Sequence, residues 1–208
     1  MSDLPEKFNR VIGGFAWPAE NPGFSILIGE QLELDDRKSN SMLTRKYHVI
    51  TEFENHSMDM LVRWSITRGV TYKCNGFYGR IKKGHGKGKP LPAMNFLESW
   101  NMDAYRKRVK SFYVYEAPYI ENDGHIEYHL NILKGLLDPN KTILFLHDSI
   151  LKGYLLNIPT DVTKVNDLDY PAVSALAYAA SALEVYKPDE EYLQQKEADM
   201  VLEEMYGD

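Results

Sequence analysis

The stretch from 142 to 183, TILFLHDSILKGYLLNIPTDVTKVNDLDYPAVSALAYAASAL, constrains the fold most. It predicts a short apolar strand over 142–146, a short helix, a polar connection, and a helix over 170–186 made of Ala, Leu, Val and Tyr. That last helix is entered through an acidic cluster, Asp167 and Asp169, and Pro171 suits its first turn, where a missing N–H costs nothing. A strand feeding helices in this way calls for a sheet with helices on its faces.

The residues upstream supply the rest of that sheet. RVIGGF (10–15) and FSILI (24–28) are β-prone runs separated by Pro18, Asn21, Pro22 and Gly23, the pattern of a hairpin. YHVITEF (47–53) alternates as a third strand. SMDMLVRWSIT (57–67) has helical spacing, with Ser57 as N-cap and Gly69 as a stop. VTYKC (70–74) then predicts a fourth strand, 96–109 a helix, SFYVYEA (111–117) a fifth strand, and 126–137 a helix with Ile126, Leu130, Leu133 and Leu137 on one stripe. The fold class is α/β, a mixed sheet with an antiparallel edge and flanking helices. Residues 1–187 are expected to form this domain and 188–208 an acidic C-terminal helix.

Composition narrows the function. With 208 residues, 44% of them apolar, the chain can bury a core. Its apolar runs are far short of a membrane span and its start lacks a signal-peptide pattern, so a cytoplasmic protein with no membrane partner is expected. The lone Cys74 excludes an internal disulfide and any multi-cysteine zinc site. The net charge of −6 argues against indiscriminate nucleic-acid binding, yet the charge is unevenly placed. Within the Gly/Lys loop of 80–95, Arg80, Lys82, Lys83, Lys87 and Lys89 alternate with glycines, with His85 among them. Arg106, Lys107, Arg108 and Lys110 follow. Glycines let a backbone follow a phosphate chain, and lysines release its condensed counterions. The spacing of a Walker A phosphate loop is absent.

The hairpin VIGGFAWP (11–18) with GFSILIGE (23–30), the helix-to-strand passage of 57–74, and the closing DYPAVSALAY (169–178) together resemble the nuclease domain of phage terminase large subunits, which has the RNase H-like fold. The resemblance covers roughly residues 8–186. It implies a DNA-packaging role, double-stranded DNA and phage packaging proteins as partners, and two divalent cations, Mg²⁺ or Mn²⁺, held by carboxylates. The family keeps one Asp on the first strand, one acid at the end of the fourth, and one Asp on the final helix. This sequence places Ala16, Asn75 and Ser174 there. Either the two-metal site is eroded or its acids are displaced. The displaced catalytic candidates are Asp148, Asp167 and Asp169, and the displaced metal ligands Asp148, Asp169 and Glu20. Glu30, at the expected end of the second strand, is a further candidate.

Each candidate has a plainer reading. Asp148 and Asp169 suit helix N-caps, and Glu20 and Glu30 suit solvated turns. His125 and His129 have metal-ligand spacing but no acid placed as in HExxH, where it directly follows the first histidine, so a solvated helix face is expected. Trp17, Trp64 and Trp100 are core or interface residues, and Cys74 a buried strand cysteine. Tyr113 and Tyr115 share one strand face, to stack bases or to pack under a helix. The acidic tail is expected to dock a partner, mask the basic loop or join an oligomer. Two functions stay open: an RNase H-like DNA-binding domain, with or without metal-dependent phosphodiester hydrolysis, and a non-catalytic accessory factor that never meets DNA.

Overall fold

The computed structural model describes residues 7–34, 43–80, 92–118, 126–137, 143–145, 148–161, 163, 165 and 169–186. Strands β1 (Arg10–Ala16), β2 (Gly23–Leu34) and β3 (Leu43–Asn55) form an antiparallel meander. Helix α1 (Met58–Thr71) leads to β4 (Gly76–Gly79), and α2 (Pro92–Arg106) leads to β5 (Val114–Glu116). Helix α3 (Glu127–Leu137), the two-residue β6 (Ile143–Leu144), α4 (Leu151–Leu156) and α5 (Pro171–Val185) complete the chain. The described strands form one six-stranded sheet in the order β5-β4-β1-β2-β3-β6. β4 runs parallel to β1 and β5 parallel to β4, so an antiparallel meander continues into parallel crossover strands. This is the RNase H-like α/β plan. Among the described residues no helix is long and apolar enough to cross a membrane.

Alternation along the strands sorts two cores. Val11, Phe15, Trp17, Leu27 and Ile50 face α1 and α2, with Leu61, Val62 and Leu97. Ile12, Ala16, Phe24, Ile26, Ile28 and Val49 face α5, which is buried from Pro171 to Leu183 and carries α3 on its far side. A helix apolar on every face is stable only when covered on every face. Small residues let α5 come close. A Cβ built on Gly14 of β1 would stand 1.8 Å from the carbonyl oxygen of Ala175.

Two polar ties fix α5. Arg10 Nε pairs with the fully buried Glu30 at 2.6 Å, while its Nη2 donates to the Leu183 carbonyl at 2.9 Å and its Nη1 to that of Tyr186. The guanidinium therefore satisfies carbonyls at the helix C-terminus, where a cation is also favoured by the helix dipole. Tyr47 donates its hydroxyl to Glu184 at 2.6 Å, and burial pushes the ionisation of that phenol well up. Glu30 is thus no turn residue. β2 runs on to Leu34, and the register sets Glu30 opposite Arg10.

Three further expectations are corrected. Gly69 does not end α1. It lies inside the helix, with its missing Cβ position 3.1 Å from the Phe77 ring, so it is there for close packing. Val70 and Thr71 therefore stay helical, and the fourth strand is GFYG rather than VTYKC. Ser57 does cap α1, accepting from the Met60 amide at 3.3 Å. His129 is not on a solvated face. It is 1% exposed, with Nδ1 2.8 Å from Ser181 Oγ and its ring edge-on to Tyr178. Burial lowers its pKa to about 4.

Two outcomes follow from this packing. Gly14→Ala should cost about 3 kcal/mol or more, since neither backbone can yield, and urea unfolding would show it. The neutral His129 ring favours the folded state fully above pH 6.5, the unfolded value, and that contribution fades as pH falls toward 4. Thermal melts across that window should show a fall that His129→Leu makes shallower.

Candidate nucleic-acid interface

The carboxyl ends of β1 and β4 lie side by side, since Phe15 pairs with Gly79. Ala16, Trp17 and Arg80 stand there, and Trp17 Nε1 donates to the Arg80 carbonyl at 3.1 Å. The amino end of α5 meets the same end of the sheet. Asn21, in the β1–β2 turn beside Glu20, donates to the Asp169 carbonyl at 3.3 Å. Glu20 and Asp169 are thus brought to one end, both exposed. Asp169 is not a cap, because the N-cap position is Tyr170 and no side chain caps it. Ser174 is fully buried and gives its hydroxyl to the Tyr170 carbonyl at 2.9 Å.

Asn75 stands elsewhere. Its amide donates to Val11 O at 2.8 Å and its Oδ1 accepts from Val11 N at 3.2 Å, at the amino end of β1. It pins the entry to β4. The end of the fourth strand is instead Gly79, followed by Arg80.

Asp148 lies at the other edge of the sheet, before α4. The N-cap of α4 is Ile150, not Asp148. Its amide is taken by Glu52 of β3 at 2.6 Å, and Ser149 Oγ donates to the same carboxylate at 2.9 Å. Tyr154 of α4 donates its hydroxyl to Glu54. Burial is the main influence on Glu52 and raises its pKa, against these hydrogen bonds, which lower it. A bulge at Ile50 shifts the strand's parity, which puts Glu52 and Glu54 on the α5 side with Val49. The sequence reading missed both acids, and their role here is to hold α4.

Hard cations need several oxygen ligands at one point. Among the described residues no three His, Cys, Asp or Glu side chains gather in that way. Ala16, Trp17 and Arg80, at the carboxyl ends of β1 and β4, supply no carboxylate, and the two exposed acids described at that end of the sheet, Glu20 and Asp169, are fewer than a pair of Mg²⁺ or Mn²⁺ ions needs. Asp167 lies outside the described residues, as do Lys82, Lys83, His85, Lys87, Lys89, His125 and the tail of 188–208.

The described basic residues fall into two places. Arg80 starts the Gly/Lys loop at the carboxyl end of β4. Arg106, Lys107, Arg108 and Lys110 are exposed at the far end of α2, about 22 Å along its 15 residues. Arg106 pairs there with Asp103 at 3.5 Å. Lys110 and Ser111 line one cleft with Cys74 and Asn75. Cys74 itself is half-buried, and burial pushes its thiol up to about 11, so it is not a reactive thiolate.

Helices α1 and α2 both end at this edge in the same way. Cys74 N donates to Gly69 O at 2.8 Å and Lys73 N to Val70 O at 3.3 Å. Val109 N donates to Ala104 O at 2.9 Å and Arg108 N to Tyr105 O at 3.1 Å. Both are Schellman ends, whose left-handed residue is ordinarily glycine. Here it is Lys73, at φ 52°, and Arg108, at φ 55°. A side chain in that conformation costs roughly 1–2 kcal/mol. Lys73 was not singled out by sequence. A basic residue shortly after a helical pattern is the faint signal that marks it.

No protein-family model matches the chain, and no curated protein matches it. Among solved structures, it is similar to T. thermophilus RuvC in complex with a Holliday junction substrate. The identity is 12%, over 85% of this chain and 96% of that one, with a TM-score of 0.32. It is also similar to the yeast mitochondrial Holliday junction resolvase Ydc2, at 13% identity over 93% of this chain and 89% of that one, with a TM-score of 0.34. The order and direction of this chain's own strands carry the fold assignment.

Replacing Lys73 and Arg108 by glycine should raise stability by about 1 kcal/mol each, read as a higher urea midpoint.

Proposed function

We propose that this chain is a DNA-binding domain of the RNase H-like nuclease fold that serves phage DNA packaging and does not itself cut. In this reading residues 1–187 are the working domain and 188–208 an appended acidic segment. Duplex DNA is held by Arg80 and the loop lysines Lys82, Lys83, Lys87 and Lys89 at one end of α2, and by Arg106, Lys107 and Arg108 at the other. The carrying observation is the set of residues at the carboxyl ends of β1 and β4, where Ala16 and Arg80 stand and Ser174 is sealed against its own helix. Phosphodiester hydrolysis by two cations needs carboxylates at that place. A guanidinium there suits a phosphate instead. The packaging role leans on the resemblance of residues 11–30 and 169–178 to terminase nucleases, which here form the β1–β2 hairpin and the entry of α5.

The test pairs binding with cleavage. Duplex affinity should fall linearly in log–log form as salt rises, and each Lys or Arg replaced by Ala should lower the slope by roughly one. Supercoiled plasmid incubated with Mn²⁺ should remain intact. Nicking that Asp169→Asn or Asp167→Asn abolishes would restore a displaced metal site and sink the non-cutting reading. Affinity that neither salt nor the lysine variants change would favour an accessory protein that binds no DNA.

A further inference from the structure

We propose that the β4–β5 edge of the sheet is a stacking surface for the unpaired bases of single-stranded DNA, built from Tyr113, Tyr115 and Tyr78 and bordered by Lys73, Arg108 and Lys110. This rests on the nucleic-acid reading above and adds the form of DNA that this edge takes.

The rings are arranged by the parallel register. Tyr78 of β4 is the direct neighbour of Tyr115 of β5, and their centroids are 5.7 Å apart. Tyr186, just past α5, continues the row 5.5 Å from Tyr78. The Tyr115 ring lies over Gly76, where a Cβ would stand 2.9 Å from its edge. Tyr113 is two residues before Tyr115, on the same side of the chain. The row is open to solvent, with Tyr113 61%, Tyr115 53% and Tyr186 49% exposed. Contiguous exposed aromatic surface of this kind marks a binding face.

Charge selects the occupant. Residues 68–80 contain Arg68, Lys73 and Arg80 and no Asp or Glu, and residues 104–115 contain Arg106, Lys107, Arg108 and Lys110 and no Asp or Glu. Two acid-free segments meet at this edge in a chain whose net charge is −6. Lys110, Tyr113 and Tyr115 share one cleft with Asn75 and Gly76, which gives a backbone a path beside the rings. Cations that track phosphates next to aromatic faces are the makings of a single-strand site, since every base offers a face to stack. A duplex keeps its bases stacked on one another and has none to offer these rings. The two strained positions carry cations in place of the glycine that would relax them, which fits a use for their charge.

The test uses the full chain, fluorescence anisotropy, a labelled oligothymidylate and a labelled blunt-ended duplex. The oligothymidylate should bind, and Tyr113→Ala with Tyr115→Ala should weaken it about tenfold or more while duplex affinity holds. Tyr113→Phe with Tyr115→Phe, which keeps the rings, should stay near the parent. Should the double alanine variant lose its far-ultraviolet dichroism, Tyr113→Ala alone, at the most exposed ring, carries the test. Parent-like affinity of the alanine variant for oligothymidylate overturns the stacking surface and leaves duplex binding standing. Failure of both probes to bind the parent removes the nucleic-acid reading itself.

Discussion

The near contact of two backbones, Gly14 of β1 against Ala175 of α5, sets the geometry of everything on that side of the sheet. Close approach is possible because the strand offers glycine and the helix offers alanine. It is held at one end by Arg10, which binds the last carbonyls of α5 while paired to the buried Glu30. Burying an ion pair gains little in itself, because desolvation offsets the attraction. What it gives here is position: buried Glu30, also reached by Arg45 at 3.7 Å, fixes the guanidinium that holds the end of α5. The same approach seals Ser174 between helix and sheet. A carboxylate there would be desolvated, so the absence of an acid at that position agrees with the packing around it.

The legible parts of the fold were those with local signals. The β1–β2 hairpin is bounded by prolines and a glycine, Ser57 stands one residue before its helix, and Pro171 opens α5. β4 was misplaced because GFYG has few β-formers, whereas VTYKC has many. What makes GFYG a strand is its two neighbours, β1 and β5, to which a sequence window is blind. Glu30 and His129 were misjudged for the same reason. Their partners, Arg10 and Ser181, are 20 and 52 residues away. The site was less legible still. Ala16 and Ser174 do reach the end of the sheet where the resemblance puts them, but Asn75 does not, because the fourth strand begins after it.

The crossover through α2 separates two kinds of surface. At the carboxyl end of β4 the chain enters its Gly/Lys loop from Arg80, beside the indole of Trp17. At the amino end of β5, cations and open tyrosines lie together around Lys110 and Tyr113. The described cations of the 80–110 run, Arg80 on one side and Arg106 to Lys110 on the other, are therefore parted by the length of a helix. Long-range attraction decays over about 10 Å at moderate salt, which is less than that length. In the proposed function each group would then recruit its own stretch of polyanion.

That division bears on how an acidic chain could bind nucleic acid as proposed. The overall charge of −6 repels a polyanion at distance and discourages loose binding across the surface. In that proposal the described cations confine attraction to the edge where β4 and β5 meet and to Arg80 at the end of β4. Confinement of this kind favours a defined register of the bound strand over sliding. The helix ends contribute to it. Lys73 and Arg108 sit at the carboxyl termini of α1 and α2, where the dipoles stabilise a cation and the left-handed turn aims it outward from the last helical turn. The dipole gain, about 0.3–1 kcal/mol, offsets only part of the conformational cost. In the proposed function the remainder is left for a phosphate to recover on binding.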